Sequence, residues 1–510
     1  MNENPNENVS KGSDGIVNIA FTKELSANIN AIKQIFTDND TLITRYFENQ
    51  YDSSIKCCII YLDGMINNKL IDDNVIEPIL KYKLMKKSND FIDIISNQIM
   101  TSDSIEKTAE FEKIVQAIVY GDTVLLSDGS DQVLILNTKG WSTRAITEPE
   151  AEKILKGPRE GFNESLIVNL SLLRRKLRTQ DLKMKFQTYG AKSNTKACIC
   201  YIDSLVDKDI LSELNNRLQK FSIDGVLDVN YLIEYIRDAP YSPFKTIGNT
   251  ERPDVVAAKL LEGRIAVFLD GTPVVMTLPY LFIENFQSNE DYYLNFFYAT
   301  ISRLIRIFGF FIALSAPAIY VAITTFHQEM IPTSLLLSIS LARQDTPLPT
   351  CVEAIVMVIV FDLLREAGSR MPVNIGQAFS ILGALVIGQA AVDARLVSAP
   401  MIVIVALTGI TGLMLYKVKG ALILLRMLLL LLSSFLGLYG YMFGIMGLLI
   451  HLLNLRSFGV PVITNIFTKN AQDNKDILVR APWSFMINRP KFIATDKARS
   501  NKNTNGDIKQ

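Results

Sequence analysis

The chain has 510 residues, of which 52 are basic and 52 acidic, so its formal net charge is zero. This length accommodates about three domains of ordinary size. Without a basic surplus, nucleic acid is not an expected partner, because phosphate recognition needs positive charge. Five cysteines are too few for a disulfide scaffold.

Charged residues are distributed unevenly along the chain. Residues 301–455 contain 15 of them, about one position in ten, whereas the rest of the chain contains 89, about one in four. The higher density is ordinary for soluble domains, and the lower one is typical of segments in contact with lipid. The net charge is −9 over residues 1–300 and +6 over residues 456–510. We therefore predict a membrane protein with a large acidic soluble region and a short basic tail.

The predicted fold class is multi-domain, with two tandem α/β subdomains in a cytoplasmic N-terminal region and an all-α transmembrane domain after them. No signal sequence is recognisable at the start, and the tail is basic, so both termini are expected in the cytoplasm. The predicted segments are a disordered N-terminus (1–15), a first α/β subdomain (16–150), a basic connecting helix (151–189), a second α/β subdomain (190–295), a transmembrane helical domain (296–455) and a basic cytoplasmic tail (456–510).

Two pairs of similar stretches predict an internal duplication in the soluble region. Lys56–Asp63 resembles Lys196–Asp203 at an offset of 140 residues, and Gly121–Gly129 resembles Gly263–Gly271 at an offset of 142. The first pair has the pattern of a buried strand, a turn and a helix, and the second that of a hairpin with an Asp-Gly turn. Near-equal offsets favour two subdomains of one plan. The alternative is a chance resemblance of two strands.

The soluble region offers little for catalysis. Four aspartates follow predicted strands, and residues in this position usually serve turns; they are Asp63, Asp128, Asp203 and Asp270. The chain has no phosphate-binding loop, no nucleophile elbow and no C-x-x-C motif. We predict no catalytic, cofactor or metal site, and an enzyme is the least expected class.

Four uncharged runs are long enough to cross a bilayer, for which about 20 apolar residues suffice. They are Ile307–Gln328, Met371–Val392, Leu396–Tyr416 and Met427–Leu455. The last run is glycine-rich in its middle, which fits either a helical hairpin or one tilted helix. We predict four to six crossings, since some segments could be re-entrant.

The apolar segment 351–368 carries charges that are costly at membrane depth unless they face protein or water. The candidate pore or vestibule residues are Glu353, Asp362, Arg365 and Glu366, with Glu353 or Asp362 expected to face water in a homo-oligomer. The alternative is an ion-paired helix end, with Asp362 bound to Arg365 and Glu366 bound to Arg370. Just before the first span, Arg303 and Arg306 are predicted to anchor it by reaching the lipid interface.

Several stretches of the chain resemble the A subunit of spore germinant receptors, the GerA family. They are PYSPF at Pro240–Phe244, NTERPDVVAAKLLEGR at Asn249–Arg264, FQSNEDYY at Phe286–Tyr293, LLREAG at Leu363–Gly368 and GALVIGQAAV at Gly383–Val392. The resemblance extends over about residues 195–460.

The resemblance implies a location in the spore inner membrane and a role in starting germination. It implies a permease-like B subunit and a lipoprotein C subunit as partners, and a small nutrient germinant that is bound directly or through the B subunit. It also implies a homo-oligomer that forms a ligand-gated ion channel. A secondary transporter and a non-conducting scaffold for a separate receptor subunit are the alternatives.

Overall fold

A computed structural model gives the fold of the chain. It describes residues 20–83, 91–95, 105–140, 152, 154, 156–371, 383, 386–463, 476–486, 489 and 493. The predicted disordered segment 1–15 lies outside these residues, and so does most of the predicted span Met371–Val392.

The described residues form two compact units. The first comprises residues up to Arg237 together with Ile247–Pro279 and two positions near the end of the chain, 489 and 493. The second comprises Asp238–Thr246 and the described residues from Tyr280 to 486. The first unit is α/β and the second is helical, which agrees with the predicted order of the two regions.

The first unit begins with a five-stranded antiparallel sheet of order β1-β2-β4-β5-β3. Its strands are β1 (Leu42–Glu48), β2 (Lys56–Leu62), β3 (Ile105–Thr108), β4 (Thr123–Ser127) and β5 (Val133–Leu136). Its helices are α1 (Leu25–Ile35), α2 (Asn68–Ile71), α3 (Glu77–Lys81), α4 (Phe91–Ile94) and α5 (Phe111–Tyr120). Alternate side chains of β2 enter two cores, one shared with α1 and α5 and the other with α2 and α3. Helices on both faces explain the uninterrupted apolar sequence of β2.

A second antiparallel sheet follows, of order β6-β7-β9-β10-β8. Its strands are β6 (Leu182–Tyr189), β7 (Thr195–Ile202), β8 (Gly248–Thr250), β9 (Ile265–Leu269) and β10 (Val275–Leu278). Its helices are α6 (Leu166–Lys176), α7 (Lys208–Lys220), α8 (Val229–Ile236) and α9 (Pro253–Leu261). The two sheets have the same strand order, which confirms the predicted duplication.

The duplication extends to individual hydrogen bonds. Asp128 Oδ1 accepts a bond of 3.2 Å from the backbone nitrogen of Leu25, at the start of α1. Asp270 Oδ1 accepts a bond of 3.0 Å from the backbone nitrogen of Leu166, at the start of α6. Each Asp-Gly turn therefore ends a strand and also caps the first helix of its own repeat.

One domain boundary differs from the prediction. The sequence predicts a basic connecting helix over residues 151–189, but α6 and β6 belong to the second repeat. Leu166, Leu170 and Leu173 of α6 are buried in one core with residues of β7 and β9. The basic residues that suggested a connector lie in the last turn of α6, where positive charge is favourable to a helix dipole.

The second unit is built mainly of helices. They are α10 (Phe296–Thr325), α11 (Thr333–Arg343), α12 (Thr350–Arg370), α13 (Ala399–Leu413) and α14 (Lys419–Asn454). By length and composition, Phe296–Thr325 and Tyr416–Asn454 could each cross a membrane, and α11 and α13 are shorter apolar helices. A two-residue hairpin of β11 (Arg456–Ser457) and β12 (Val460–Pro461) follows α14.

A helical hairpin forms in the glycine-rich run within α14. Gly437 has φ 60° and ψ −140°, a backbone conformation close to a region that is essentially restricted to glycine. A Cβ atom added at Gly440 would collide with the carbonyl oxygen of Leu432, and one added at Gly444 would collide with Leu429 Cδ2. In a continuous helix Leu429 and Gly444 would be about 22 Å apart. Of the two arrangements that the sequence allowed, the chain adopts the hairpin.

Both limbs of this hairpin run along α10. Before the bend, the Ser433 hydroxyl donates a hydrogen bond of 2.6 Å to Ala318 O. After the bend, the Tyr441 hydroxyl lies 3.0 Å from Ser315 Oγ. The bend itself lies beside Phe326, at the C-terminal end of α10. Both termini of the hairpin therefore lie where α10 begins. We name this end of the helical unit its base and the opposite end its far end.

Candidate functional site: buried charges of the helical unit

The candidate pore or vestibule residues all lie on α12, but they occupy different surroundings. Glu353 lies near the far end of α12, and Asp362, Arg365 and Glu366 lie towards the base. The helix begins after Pro349, which fixes a backbone angle suited to a helix start.

Glu353 is fully buried, and two neighbouring segments compensate its carboxylate. Ser398 donates two hydrogen bonds to Oε2, one from its backbone nitrogen at 3.2 Å and one from its hydroxyl at 2.8 Å. Arg343 Nη2 lies 3.8 Å from Oε1. Because Ser398 directly precedes α13, the carboxylate lies at a helix N-terminus, where negative charge is favourable. The prediction that Glu353 faces water is wrong within this chain, since its side chain has no exposed surface.

Asp362 pairs with Arg426 of α14, a residue that the sequence patterns did not single out. Arg426 Nη2 donates to Asp362 Oδ2, and the two side chains are 5% and 18% exposed. The predicted partner, Arg365, instead donates a hydrogen bond of 3.2 Å to Gly412 O in α13. The signal for Arg426 was present, since it is the only Asp, Glu, Lys or Arg between positions 420 and 454.

Glu366 forms an exposed ion-pair group at the base of α12. Its carboxylate lies 2.9 Å from Arg370 Nη2 and 3.4 Å from Lys419 Nζ. The Glu366–Arg370 pair agrees with the alternative prediction of an ion-paired helix end. Exposed pairs of this kind contribute little to stability because water and salt screen them.

One face of α12 is exposed along its whole length. The exposed residues recur at spacings of three and four, which places them on a single stripe of the helix; they are Val352, Val356, Ile359, Leu363, Glu366 and Arg370. On the opposite face, Ala354, Met357 and Val358 are buried in a core with residues of α10, α13 and α14. The stripe is therefore apolar over most of its length and charged at the base, and it remains available for contacts outside this chain's own core.

At the base, Arg303 and Arg306 bind groups of the protein. Arg303 is fully buried, and its guanidinium donates a hydrogen bond of 2.7 Å to Asp476 O and lies 3.4 Å from the Asp291 carboxylate. Arg306 donates to the same carboxylate and to Phe286 O. The prediction that both arginines reach the lipid interface is wrong for Arg303, because none of its surface is exposed.

The strand-end aspartates of the first unit have local roles. Asp63 accepts a hydrogen bond of 2.9 Å from the backbone nitrogen of Gly64, and Asp203 pairs with Lys208. With the two capping aspartates described above, each of the four has a structural function. Within the part of the chain that the structure describes, no group of three His, Cys, Asp or Glu side chains is placed to hold a metal ion.

The cysteines of the two sheets lie in apolar cores. Burial raises the pKa of Cys57 and of Cys58 to about 12. Cys198 and Cys200 lie on one face of β7 with their sulfur atoms 3.7 Å apart, and burial also raises the pKa of Cys198. A thiol with a raised pKa stays protonated at neutral pH, and is then a poor nucleophile and metal ligand.

The chain thus combines a duplicated α/β unit with a helical unit in which two helices are long and apolar enough to cross a membrane. The model of the Bacillus/Clostridium GerA spore germination protein family matches residues 30–492. The chain therefore belongs to the GerA family, in agreement with the resemblance of its motifs.

Individual relatives are similar over most of their length. Spore germination protein KA of Bacillus subtilis (strain 168) is 38% identical over 487 residues, which cover 95% of this chain and 89% of that protein. The uncharacterized membrane protein YfkQ of the same organism is 41% identical over 89% of this chain and 90% of that protein. The crystal structure of the N-terminal domain of the A subunit of the Bacillus megaterium spore germinant receptor GerK3 matches with a TM-score of 0.43 and 30% identity, over 52% of this chain and 99% of that domain.

Proposed function

We propose that this chain is the A subunit of a spore germinant receptor and that several copies form a ligand-gated ion channel. Membership of the GerA family supports a role in germination. In this proposal the subunit lies in the spore inner membrane with both termini on the cytoplasmic side. It works with a permease-like B subunit and a lipoprotein C subunit, and a small nutrient germinant acts on it directly or through the B subunit.

The exposed stripe of α12 is the observation that carries the channel proposal. In a ring of copies, Val356, Ile359 and Leu363 would form an apolar constriction, with the Glu366–Arg370 ion pairs at its base end. Apolar constrictions gate by losing water, and rings of charged side chains set the preference among ions. The buried Glu353 and the largely buried Asp362 then hold α12 against its neighbours and do not line the pore.

Two other classes remain as alternatives. A secondary transporter commonly has repeats within its membrane region, whereas the repeat of this chain lies in its α/β unit. A non-conducting scaffold would use the α12 stripe to pack against another subunit. The channel differs from both in having a water-filled path beside the stripe.

The test measures access of water to the stripe during ion flow. The protein is reconstituted with its B and C partners in liposomes, and Ile359→Cys is introduced together with Cys351→Ala, which removes the partly exposed native thiol. A cationic, membrane-impermeant thiol reagent should then reduce germinant-evoked cation flux severalfold, because modified Ile359→Cys would narrow the constriction and repel cations.

Phe311→Cys on the same background is the matched control. Phe311 is 57% exposed, but it lies on α10 and is expected to face lipid, so the reagent should leave the flux unchanged. Absence of evoked flux in the unmodified complex would favour the scaffold. A flux that saturates at carrier rates, and that the thiol reagent does not reduce at any position of the stripe, would favour the transporter.

A further inference from the structure

A short C-terminal segment is fixed to the base of the helical unit; we name residues 476–486 the strap. The carbonyl oxygen of Asp476 accepts hydrogen bonds from Arg303 at 2.7 Å and from Gln287 at 2.8 Å, and its carboxylate accepts one from the Tyr292 hydroxyl at 2.7 Å. The carbonyl oxygen of Ile477 accepts a further bond of 3.1 Å from Arg303. The strap thus supplies hydrogen-bond acceptors to the buried guanidinium of Arg303. Detaching the strap would leave these donors unsatisfied, which is costly.

Arg480 makes a second attachment. Its backbone nitrogen donates a hydrogen bond of 3.2 Å to Thr300 Oγ1 on α10. Its guanidinium carbon lies 5.9 Å from the ring centre of Tyr292 and 5.5 Å from that of Trp483, which is consistent with cation–π attraction. The strap is therefore held near the level of Thr300, about 10 Å along the helix from Ile307, where the uncharged run begins.

The strap nevertheless exposes apolar side chains. Half or more of the residue surface is exposed at Leu478, Val479, Trp483 and Phe485. At the same level, α10 begins an exposed apolar stripe that continues into its uncharged run through Phe297, Ile301, Leu304, Phe308 and Phe311. Exposed apolar surface of this extent marks an interaction site, and continuity with a candidate membrane span identifies the bilayer as the partner.

We propose that the strap is an interfacial membrane anchor that binds anionic lipid at the base of the helical unit. Trp and other aromatic side chains favour the boundary between headgroups and acyl chains, and Trp483 and Phe485 lie where this boundary is expected. The strap itself holds one acid and one base, Asp476 and Arg480, and the positive charge comes from the rest of the tail. Residues 456–510 contain ten basic and four acidic residues, and such a surplus attracts anionic headgroups. Apolar insertion and basic charge together provide the two signals that stable surface binding requires. The anchor is independent of ion conduction and serves a scaffold equally well.

The fluorescence of Trp483 tests the anchor directly. The chain has two tryptophans, so Trp141→Phe leaves Trp483 as the sole reporter in the full-length protein. The protein is reconstituted in liposomes that contain lipids brominated at shallow or deep acyl positions, with and without phosphatidylglycerol. We expect stronger quenching by the shallow bromolipid than by the deep one, little quenching by aqueous iodide, and a larger lipid effect with phosphatidylglycerol.

The complementary variant Trp483→Phe reports Trp141 alone. Subtracting its signal from that of the unsubstituted protein gives the Trp483 response even if Trp141→Phe folds poorly. Strong iodide quenching without lipid quenching would place the strap in water and overturn the proposal. Protection from both quenchers would place Trp483 in a protein interface and overturn it as well. Equal lipid quenching with and without phosphatidylglycerol would overturn the requirement for anionic lipid.

Discussion

At the residue scale, three charged side chains of the helical unit with little or no exposed surface join different elements. Glu353 joins α12 to the start of α13, Asp362 joins α12 to α14 through Arg426, and Arg303 joins α10 to the strap. Apolar helix surfaces gain little from packing against each other when lipid is the alternative neighbour. The polar contacts therefore contribute specificity that apolar packing alone does not give in a bilayer.

Replacing Arg426 with methionine should destabilise the protein strongly. Asp362 would be left as a buried carboxylate without its partner, and breaking a buried pair in this way costs about 3–5 kcal/mol. Asp362→Leu combined with Arg426→Met removes both charges and should recover much of the loss. Thermal unfolding in detergent compares the stability of both variants with that of the unsubstituted protein.

Lys419→Met is the control for this pair. Lys419 is a partly exposed partner of Glu366, and losing such a solvent-screened pair changes stability by less than about 1 kcal/mol. If the double variant at positions 362 and 426 is no more stable than Arg426→Met alone, the two charges are not coupled and the argument fails.

The buried thiols should be protected from a maleimide in the folded protein at pH 8. Cys57, Cys58, Cys198 and Cys200 are buried and should react only after unfolding, whereas Cys351 is partly exposed. Peptide mass spectrometry before and after denaturation measures the modification. Reaction of Cys57 at the same rate in both states would contradict the packing of β2.

The raised thiol pKa values also have a consequence for stability. The thiols of Cys57 and Cys58 have a pKa of 9.0 in the reference state and about 12 in the fold. The preference of the fold for the neutral thiols therefore stabilises the protein fully below pH 9, and this stabilisation is lost as the pH rises from 9 towards 12.

At the scale of elements, the bend in α14 depends on one glycine. Gly437→Ala should destabilise the hairpin, because a backbone conformation outside the ordinary regions costs about 1–3 kcal/mol for other residues. The new Cβ would also lie 2.8 Å from Phe326 Cβ, too close for an unshifted contact. Thermal unfolding and the yield of folded protein in membranes are the measurements.

Gly447→Ala is a matched control in the same helical segment. A Cβ atom there would meet nothing within 4 Å, and alanine favours helix over glycine by about 1 kcal/mol. This variant should be neutral or slightly more stable. Equal losses for the two variants would show that the bend has no special need for glycine.

The sequence predicted the elements whose signal is local. The offsets of 140 and 142 located the repeated strands because a buried strand and an Asp-Gly turn leave a compact pattern. The sequence pattern assigned α6 to a connecting helix, because the basic residues of its last turn resemble those of a connector. It marked a bend near Gly437 but could not choose a hairpin, because glycine permits both a bend and a straight helix. Arg426 was missed since pairing between distant helices has no fixed spacing in sequence.

At the scale of the whole helical unit, the contacts give each helix a direction. Glu353 meets Ser398 at the far end, and Arg365 meets Gly412 towards the base, so α12 and α13 both run from the far end to the base. The chain must return to the far end between these helices. The predicted span Met371–Val392 lies in this part of the chain, mostly outside the described residues. Together with α10, α12, α13 and the two limbs of α14, this return segment predicts six passages between the base and the far end. An even number of passages places the start of α10 and the strap on the same side of the membrane.

Cysteines at three exposed positions test this topology. Tyr416 lies at the base, Arg456 follows the second limb of the hairpin, and Glu329 follows the far end of α10. On a Cys351→Ala background, an impermeant maleimide added to inverted membrane vesicles should label Tyr416→Cys and Arg456→Cys, because both would face the former cytoplasmic side. Glu329→Cys should react only after the vesicles are opened with detergent. An odd number of passages would place Arg456→Cys on the opposite side from the start of α10, so labelling of Tyr416→Cys but not of Arg456→Cys would contradict the return of the hairpin.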